Sequence, residues 1–440
     1  MEQAKIQIFL PECGRLSLRF IILLLSLIVG FSAGCQKTPA PEFRLNAVEL
    51  LKQERLNLPA GQHFDPSYRL EIGTLLHSLF GTPNEPRFPM FAGDEDPAQD
   101  ILSLENLGMA AGPVNRDPAG KPGGLYRKHC AQCHGVSGDG RGPTAEFLNP
   151  YPRDFRLGKF KFKSTPLRQP PTNQDLRNLL VNGIPGTAMP SFRRLPDAEL
   201  GALVDYVKYL TIRGQYERYL ISELASLDGQ PLLDLNLIKV SSAGTAPTEK
   251  ARAKFADQAF TIVGEGLFEG IVYRWLKLDK KSTPIPPAPA AVAVTDVAHL
   301  ELVNQGRELF YGKGNCLQCH GAVGMGDGQV GNFDDWTNEW IKTSGVDPNQ
   351  PATYQEFTAA GVLPPRSIRP RNLHVSMFRG GNHPNDLYLR IANGIEGTPM
   401  PSSATLTPDE IWAMVAYVRA LPFQQTAVTV KPMNTQTISK

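Results

Sequence analysis

The stretch CAQCHG at 130–135 returns as CLQCHG at 316–321, and the fold is read from what surrounds the two copies. The same signals follow each in the same order. The first copy continues with GDG at 138–140, PRDF from Pro152 and NGIPGTAMPS from Asn182. The second continues with GDG at 326–328, PRNL from Pro370 and NGIEGTPMPS from Asn393. Motifs repeated in one order, without one fixed spacing, identify a duplicated module. After each Met-Pro an apolar stripe at i, i+3, i+4, i+7 predicts a helix that buries one face. The stripe is Leu200, Leu203, Val204 and Val207 in the first copy, and Ile411, Met414, Val415 and Val418 in the second. Thr407, Pro408 and Glu410 open the second of these helices as a capping box with proline in its first turn. Tyr206 and Tyr417 each stand 17 residues beyond the methionine of their loop, so the two helices keep one register relative to it. A further helix is predicted to lead into each cysteine pair, with Tyr126 in one copy and Gly306 and Phe310 in the other.

The predicted fold class is therefore all-α, with two modules in tandem at 119–213 and 296–423. Residues 35–118 read as a helical extension with helices near 47–58 and 67–80. Residues 214–295 read as an inter-domain region, helix-like over 251–276 and ending in STPIPPAPAAVAV, a semi-stiff spacer. Residues 424–440 form an extended tail. The modules differ in length: 55 residues separate His134 from Met189, and 80 separate His320 from Met400. Most of the surplus lies before Pro370, contains Trp336 and Trp340, and is expected to be a surface excursion over the second site.

Composition bounds the function. At 440 residues the chain has room for two or three compact units. A hydrophobic share of 41% is that of a globular protein, and 40 glycines with 38 prolines favour loop-rich domains. A net charge of +2 gives no footprint for nucleic acid. Lys5, Arg15 and Arg19 precede an apolar run over 20–31 that closes in Ser32-Ala33-Gly34-Cys35, so 1–34 read as a targeting segment. The small residues before Cys35 resemble the lipobox of bacterial lipoproteins, in which that cysteine carries the lipid; Ser32 departs from the usual leucine. An uncleaved transmembrane anchor is the alternative, and both place the body outside the cytoplasm. Loss of 1–34 leaves a net charge of +1 and removes Cys13. Four cysteines then remain besides Cys35, all in the two pairs, with none over for a structural disulfide.

A c-type haem needs two thiols that reach its vinyl groups and a base that reaches its iron, and Cys-x-x-Cys-His supplies all three. Cys130 and Cys133, then Cys316 and Cys319, are the candidate attachment points, with His134 and His320 as iron ligands. A zinc ribbon sets its pairs roughly 15 to 20 residues apart, whereas 183 separate Cys133 from Cys316. A thioredoxin-type pair explains neither the histidine nor the Met-Pro loop. Met189 and Met400 lie in matching loops where glycine permits unusual backbone angles and proline holds the turn. They are the candidate sixth ligands, against the ordinary reading of a buried methionine as core filling. His/Met ligation raises the reduction potential and closes the iron, so electron exchange is expected and no small-molecule substrate at iron.

The two repeats resemble class I cytochrome c domains, and the whole resembles a dihaem cytochrome c lipoprotein of a bacterial respiratory chain. The resemblance implies a small helical fold for each domain, two covalently bound haem c groups, His/Met-ligated iron and one exposed haem edge. It implies redox partners, a quinol-oxidising complex or other donor and a terminal oxidase or other acceptor, and a lipid anchor on the periplasmic side of the membrane. The second copy departs from the family in its long excursion and in two extra residues between Phe310 and Cys316. Two alternatives stay open: a dihaem enzyme such as a cytochrome c peroxidase or thiosulfate dehydrogenase, or a haem subunit of a larger complex. A catalytic haem would be marked by a missing methionine, and neither repeat lacks one.

Arg153 and Arg371 suit haem propionates, since the guanidinium fork matches carboxylates, or else are exposed turn residues. His129, His374 and His383 are read as loop or surface histidines rather than as replacements for methionine. The stretch 153–168 holds six basic residues and one acidic one among Phe155, Phe160 and Phe162. It is either a docking face for an acidic partner or a solvated loop.

Overall fold

A computed structural model describes residues 41–89, 98–115, 123–226, 270–290 and 297–424, with isolated positions between 248 and 254. Helices dominate, and the named strands reduce to one antiparallel pair, Asn332–Phe333 with Ser367–Ile368. The targeting segment, Cys35, the tail from 425 and most of the helix expected over 251–276 lie outside the described residues; of the last, Tyr273–Trp275 is helical. Among the described residues no helix is long and apolar enough to cross a membrane.

The first module is built on the helix Asp197–Ser226, whose 30 residues run past the boundary expected at 213. Its apolar stripe does not stop there: Leu200, Leu203, Val204 and Val207 are buried, and so are Tyr216, Leu220 and Ile221. That extra length is covered by the N-terminal extension. Asn46 caps the helix Ala47–Asn57, and Asp65 with Pro66 in the first turn starts Pro66–Phe80. Leu50, Ile72, Leu75, Phe80 and Leu107 join Leu125, Tyr126, Leu176 and Leu180 in one hydrophobic core. The extension and the first module therefore share a core. Ile271, Val272 and Trp275 of the inter-domain region complete it.

The second module crosses Val297–Tyr311 over Pro408–Ala420. Gly306 lies at the crossing: a Cβ there would sit 2.7 Å from Tyr417 Cβ and closer still to the Ala413 carbonyl. Beside it Phe310 packs edge-on against Tyr417 at 5.3 Å. The two extra residues before Cys316 are absorbed in a turn at Gly312 to Asn315, with Asn315 at a φ of 48°. Cys316 N–H still reaches the Phe310 carbonyl at 3.0 Å, as Cys130 N–H reaches Tyr126 at 2.8 Å. The departure from the family spacing thus leaves Phe310 in the place of Tyr126.

Two expectations are corrected. The excursion packs its core on the N-terminal extension and the first module, and reaches the second site through Asp335, which lies beside Gly397 of the methionine loop. Trp336, Trp340, Ile341, Phe357 and Val362 form a separate core with Val48, Leu51, Ala145 and Leu157. The start of the Pro/Ala-rich run is not a free spacer either. Thr283 N–H bonds to Ser164 O at 2.9 Å, its hydroxyl bonds to Asn393 Oδ1 at 2.7 Å, and Ile285 packs on the second core. The described residues from 42 onward belong to one unit.

Candidate functional site

In each module the cysteine pair occupies one helical turn, Ala131–His134 or Leu317–His320. His134 N–H bonds to Cys130 O and His320 N–H to Cys316 O, both at 2.9 Å, so the second thiol and the imidazole follow the first within that turn. All four thiols are free. Burial pushes the Cys130 thiol up to about 12 and Cys316 up to about 11.

The histidines are oriented from behind. His134 Nδ1 lies 3.1 Å from Arg153 O, and His320 Nδ1 lies 3.2 Å from Arg371 O. A carbonyl only accepts, so Nδ1 carries the proton and the Nε2 lone pair is free for a metal. Burial also lowers both imidazoles, His134 to about 4, which keeps them neutral at pH 7. Phe155 stacks on the His134 ring at 4.7 Å and 15°. The glycine loop after each histidine is the same structure, but not where the GDG motifs align it. Gly140 N–H bonds to His134 O as Gly326 N–H bonds to His320 O, and Gly138 O accepts from Phe155 as Gly324 O accepts from Leu373. Residues 138–140 thus correspond to 324–326, two positions before the second GDG.

The methionine loops are also superposable in their bonding. Capped helices, Asn173–Asn182 and Pro384–Asn393, deliver the chain to Gly183 and Gly394 at φ 65° and 71°. Ile184 N–H then bonds to Met189 O at 3.1 Å, and Ile395 N–H to Met400 O at 3.2 Å. Thr187 Oγ1 accepts from Met189 N–H at 3.1 Å and donates to Ile184 O at 2.7 Å. Thr398 does the same for Met400 and Ile395 at 3.2 and 2.7 Å. Both methionines are half-buried, and Met189 packs on the first core. The two threonines carry no chemistry by themselves, yet each stands two residues before its methionine, a repeat visible in the sequence.

These residues suit haem c: free thiols and an Nε2-presenting histidine on one turn, twice, with a braced methionine loop in each module. The side chains of the remaining candidates have partners within the protein. Arg153 is ion-paired with Asp335, and Arg371 donates from Nη2 and Nε to Met377 O at 2.9 and 3.2 Å. His374 Nε2 lies 2.6 Å from Val323 O, His383 caps the helix Pro384–Asn393, and the His129 ring sits edge-on to Phe192 at 5.9 Å. Of the six basic residues of the stretch, five are paired within the chain, and Arg168 is exposed. Arg153 and Lys161 pair with Asp335, Lys159 with Glu339, Lys163 with Glu396 and Arg156 with Asp154.

The cytochrome c family model matches residues 123–211, and that of cytochrome c oxidase, cbb3-type, subunit III matches residues 301–418. Among solved structures, a chain of the Kuenenia stuttgartiensis reducing HAO-like protein complex is 22% identical, aligned over 73% of this chain and 96% of that one, with a TM-score of 0.42. No curated protein matches the chain.

Proposed function

We propose that this chain, which carries two cytochrome c domains in tandem, is a dihaem c-type cytochrome passing single electrons in a bacterial respiratory chain. Cys130 and Cys133 hold one haem and Cys316 and Cys319 the other; His134 with Met189, and His320 with Met400, ligate the irons. Haem supplies a metal that takes up and gives back one electron. The protein's residues keep that exchange fast by holding the ligands still. Arg153 O and Arg371 O fix the imidazole tautomer and ring angle, and Thr187 and Thr398 pin the backbone of each methionine. Two methionines leave no open position, which favours a carrier over a peroxidase or other haem enzyme. The body is tethered through a lipid on Cys35 at the periplasmic side, between a quinol-oxidising complex or other donor and a terminal oxidase or other acceptor.

The observation that carries the reading is the duplicate bracing of histidine and methionine in two domains of otherwise different length. Haem quantification should return two per chain, and the oxidised protein should show the near-infrared sulfur-to-iron band. Met189→Ala and Met400→Ala should each lower one potential and open that iron to carbon monoxide; unchanged potentials in both variants refute the ligand assignment. Cys35→Ser should release the protein from membranes, and retention points to an uncleaved anchor.

A further inference from the structure

The two domains exchange arms. Gly186, in the first methionine loop, stands at φ 70°, and a Cβ there would lie 2.9 Å from Met377 Sδ and 3.1 Å from Arg371 Nη2 of the second domain. The matching glycine of the second loop, Gly397 at φ 74°, meets the first domain through Arg153: a Cβ there would lie 3.6 Å from Arg153 Nη1, and 3.4 Å from the Cβ of Asp335, the second domain's own partner of that arginine. Arg153 and Arg371 hold the same place in their repeats, and so do Gly186 and Gly397. Each arginine thus fixes its own domain's histidine with its carbonyl while its guanidinium reaches the other domain's methionine loop. Neighbouring bonds hold this juxtaposition. Lys163 pairs with Glu396, which precedes Gly397, and Asn393 Nδ2 donates to Ser164 O at 3.1 Å.

The two arms differ in charge. Arg153 is neutralised by the Asp335 carboxylate. Arg371 bonds to a backbone carbonyl, and among the described residues no ion pair includes it. A carbonyl dipole orients a guanidinium without cancelling its charge, so Arg371 places a positive charge that no carboxylate of the described residues pairs beside the first methionine loop. A fixed positive charge favours the less positive state of a nearby redox centre, the reduced one.

We propose that Arg371, supplied by the second domain, tunes the electron affinity of the first domain's site from across the interface, making the two sites' potentials interdependent. This rests on the reading of Met189 as an iron ligand. It gives the positive-φ glycine of the loop a second role, since a Cβ at Gly186 would push on Met377 Sδ and crowd the guanidinium.

The test uses the full-length haem-loaded protein with ¹³C-methyl methionine. Ligated methionine methyls of the reduced protein resonate far upfield and are assigned by their loss in Met189→Ala and Met400→Ala. Following each signal through a redox titration gives a midpoint for each site. Arg371→Gln is expected to lower the midpoint of the Met189 site by more than that of the Met400 site, and Arg371→Lys, which keeps the charge, to restore most of it. A shift confined to the Met400 site, no shift at either, or Lys behaving like Gln would overturn the proposal. Absence of the upfield signals from the unmutated protein would instead refute the ligand reading on which it rests.

Discussion

Thr187 and Thr398 are small side chains with a large share in the site. Each hydroxyl satisfies the methionine N–H and ties it to the carbonyl five residues earlier in its loop, at Ile184 or Ile395. Val is nearly isosteric with Thr but makes neither bond, and two neutral hydrogen bonds are worth about 1–2 kcal/mol. Thr398→Val should therefore weaken methionine ligation in the second domain, seen as partial loss of the sulfur-to-iron band with haem content unchanged. A full-intensity band would show that the loop is held by its glycine and proline alone. At this scale the chemistry is legible in the sequence, because Cys130, Cys133 and His134 form a contiguous signature and the methionine loop repeats almost letter for letter. What supports that chemistry is not. Phe155 on His134, and the Arg153 and Arg371 carbonyls behind the histidines, lie 19 to 51 residues away from them, and the contact depends on backbone course rather than on residue type.

Helices and turns show where pattern predicts structure and where packing overrides it. Periodicity places the stripes after each methionine correctly, and every residue named in them is buried. It places the helices at Ala47–Asn57 and Pro66–Phe80 to within two residues. It cannot tell that Asp197–Ser226 continues beyond 213, because that depends on what covers it. Glycines separate intrinsic preference from packing. Gly73 lies within Pro66–Phe80 with nothing within 4 Å of a built Cβ, whereas Gly306 sits where Val297–Tyr311 meets Pro408–Ala420. Alanine in a helix interior gains ~0.5–1 kcal/mol over glycine, so Gly73→Ala should stabilise by that amount. At Gly306 the same gain meets a backbone carbonyl and Tyr417 Cβ, neither of which can swing away, and overpacking costs ~1–3 kcal/mol. Gly306→Ala should therefore be net destabilising in denaturant unfolding. Equal signs for the two variants would mean that the crossing can open without loss.

On the scale of the whole molecule, the basic stretch, read from sequence as either a docking face or a solvated loop, finds its acids within the chain itself. Apart from Asp154, which pairs with Arg156, these acids, Asp335, Glu339 and Glu396, come from the second half of the sequence, so no local reading of 153–168 can supply them. Glu339 is the hub. Its Oε1 lies 2.6 Å from Arg218 and 3.2 Å from Lys52, and its Oε2 lies 2.6 Å from Lys159. Next to it, fully buried Trp340 is flanked by Lys52, Arg156 and Arg218 at 5.5 to 5.9 Å. Burial alone would raise the Glu339 carboxyl, but Arg218, Lys159 and Lys52 outweigh it and hold the group down at about 2. A carboxyl whose folded value is depressed contributes stability that is fully present above its unfolded value near 4.5 and is lost as pH falls toward 2. The displacement corresponds to about 3 kcal/mol, and only 11% exposure of the side chain keeps salt from screening much of it. Glu339→Gln should accordingly unfold at lower denaturant than the unmodified protein at pH 7. The gap should persist down to about pH 5 and close between there and pH 2, because below that the native carboxyl is neutral too. The excursion that carries Glu339 joins the first domain to the second, so the same titration should loosen their contact in the unmodified protein before either core melts. Parallel pH profiles for the two proteins would place the stability of that contact in Trp336, Trp340 and Phe357 instead of in the charges around them.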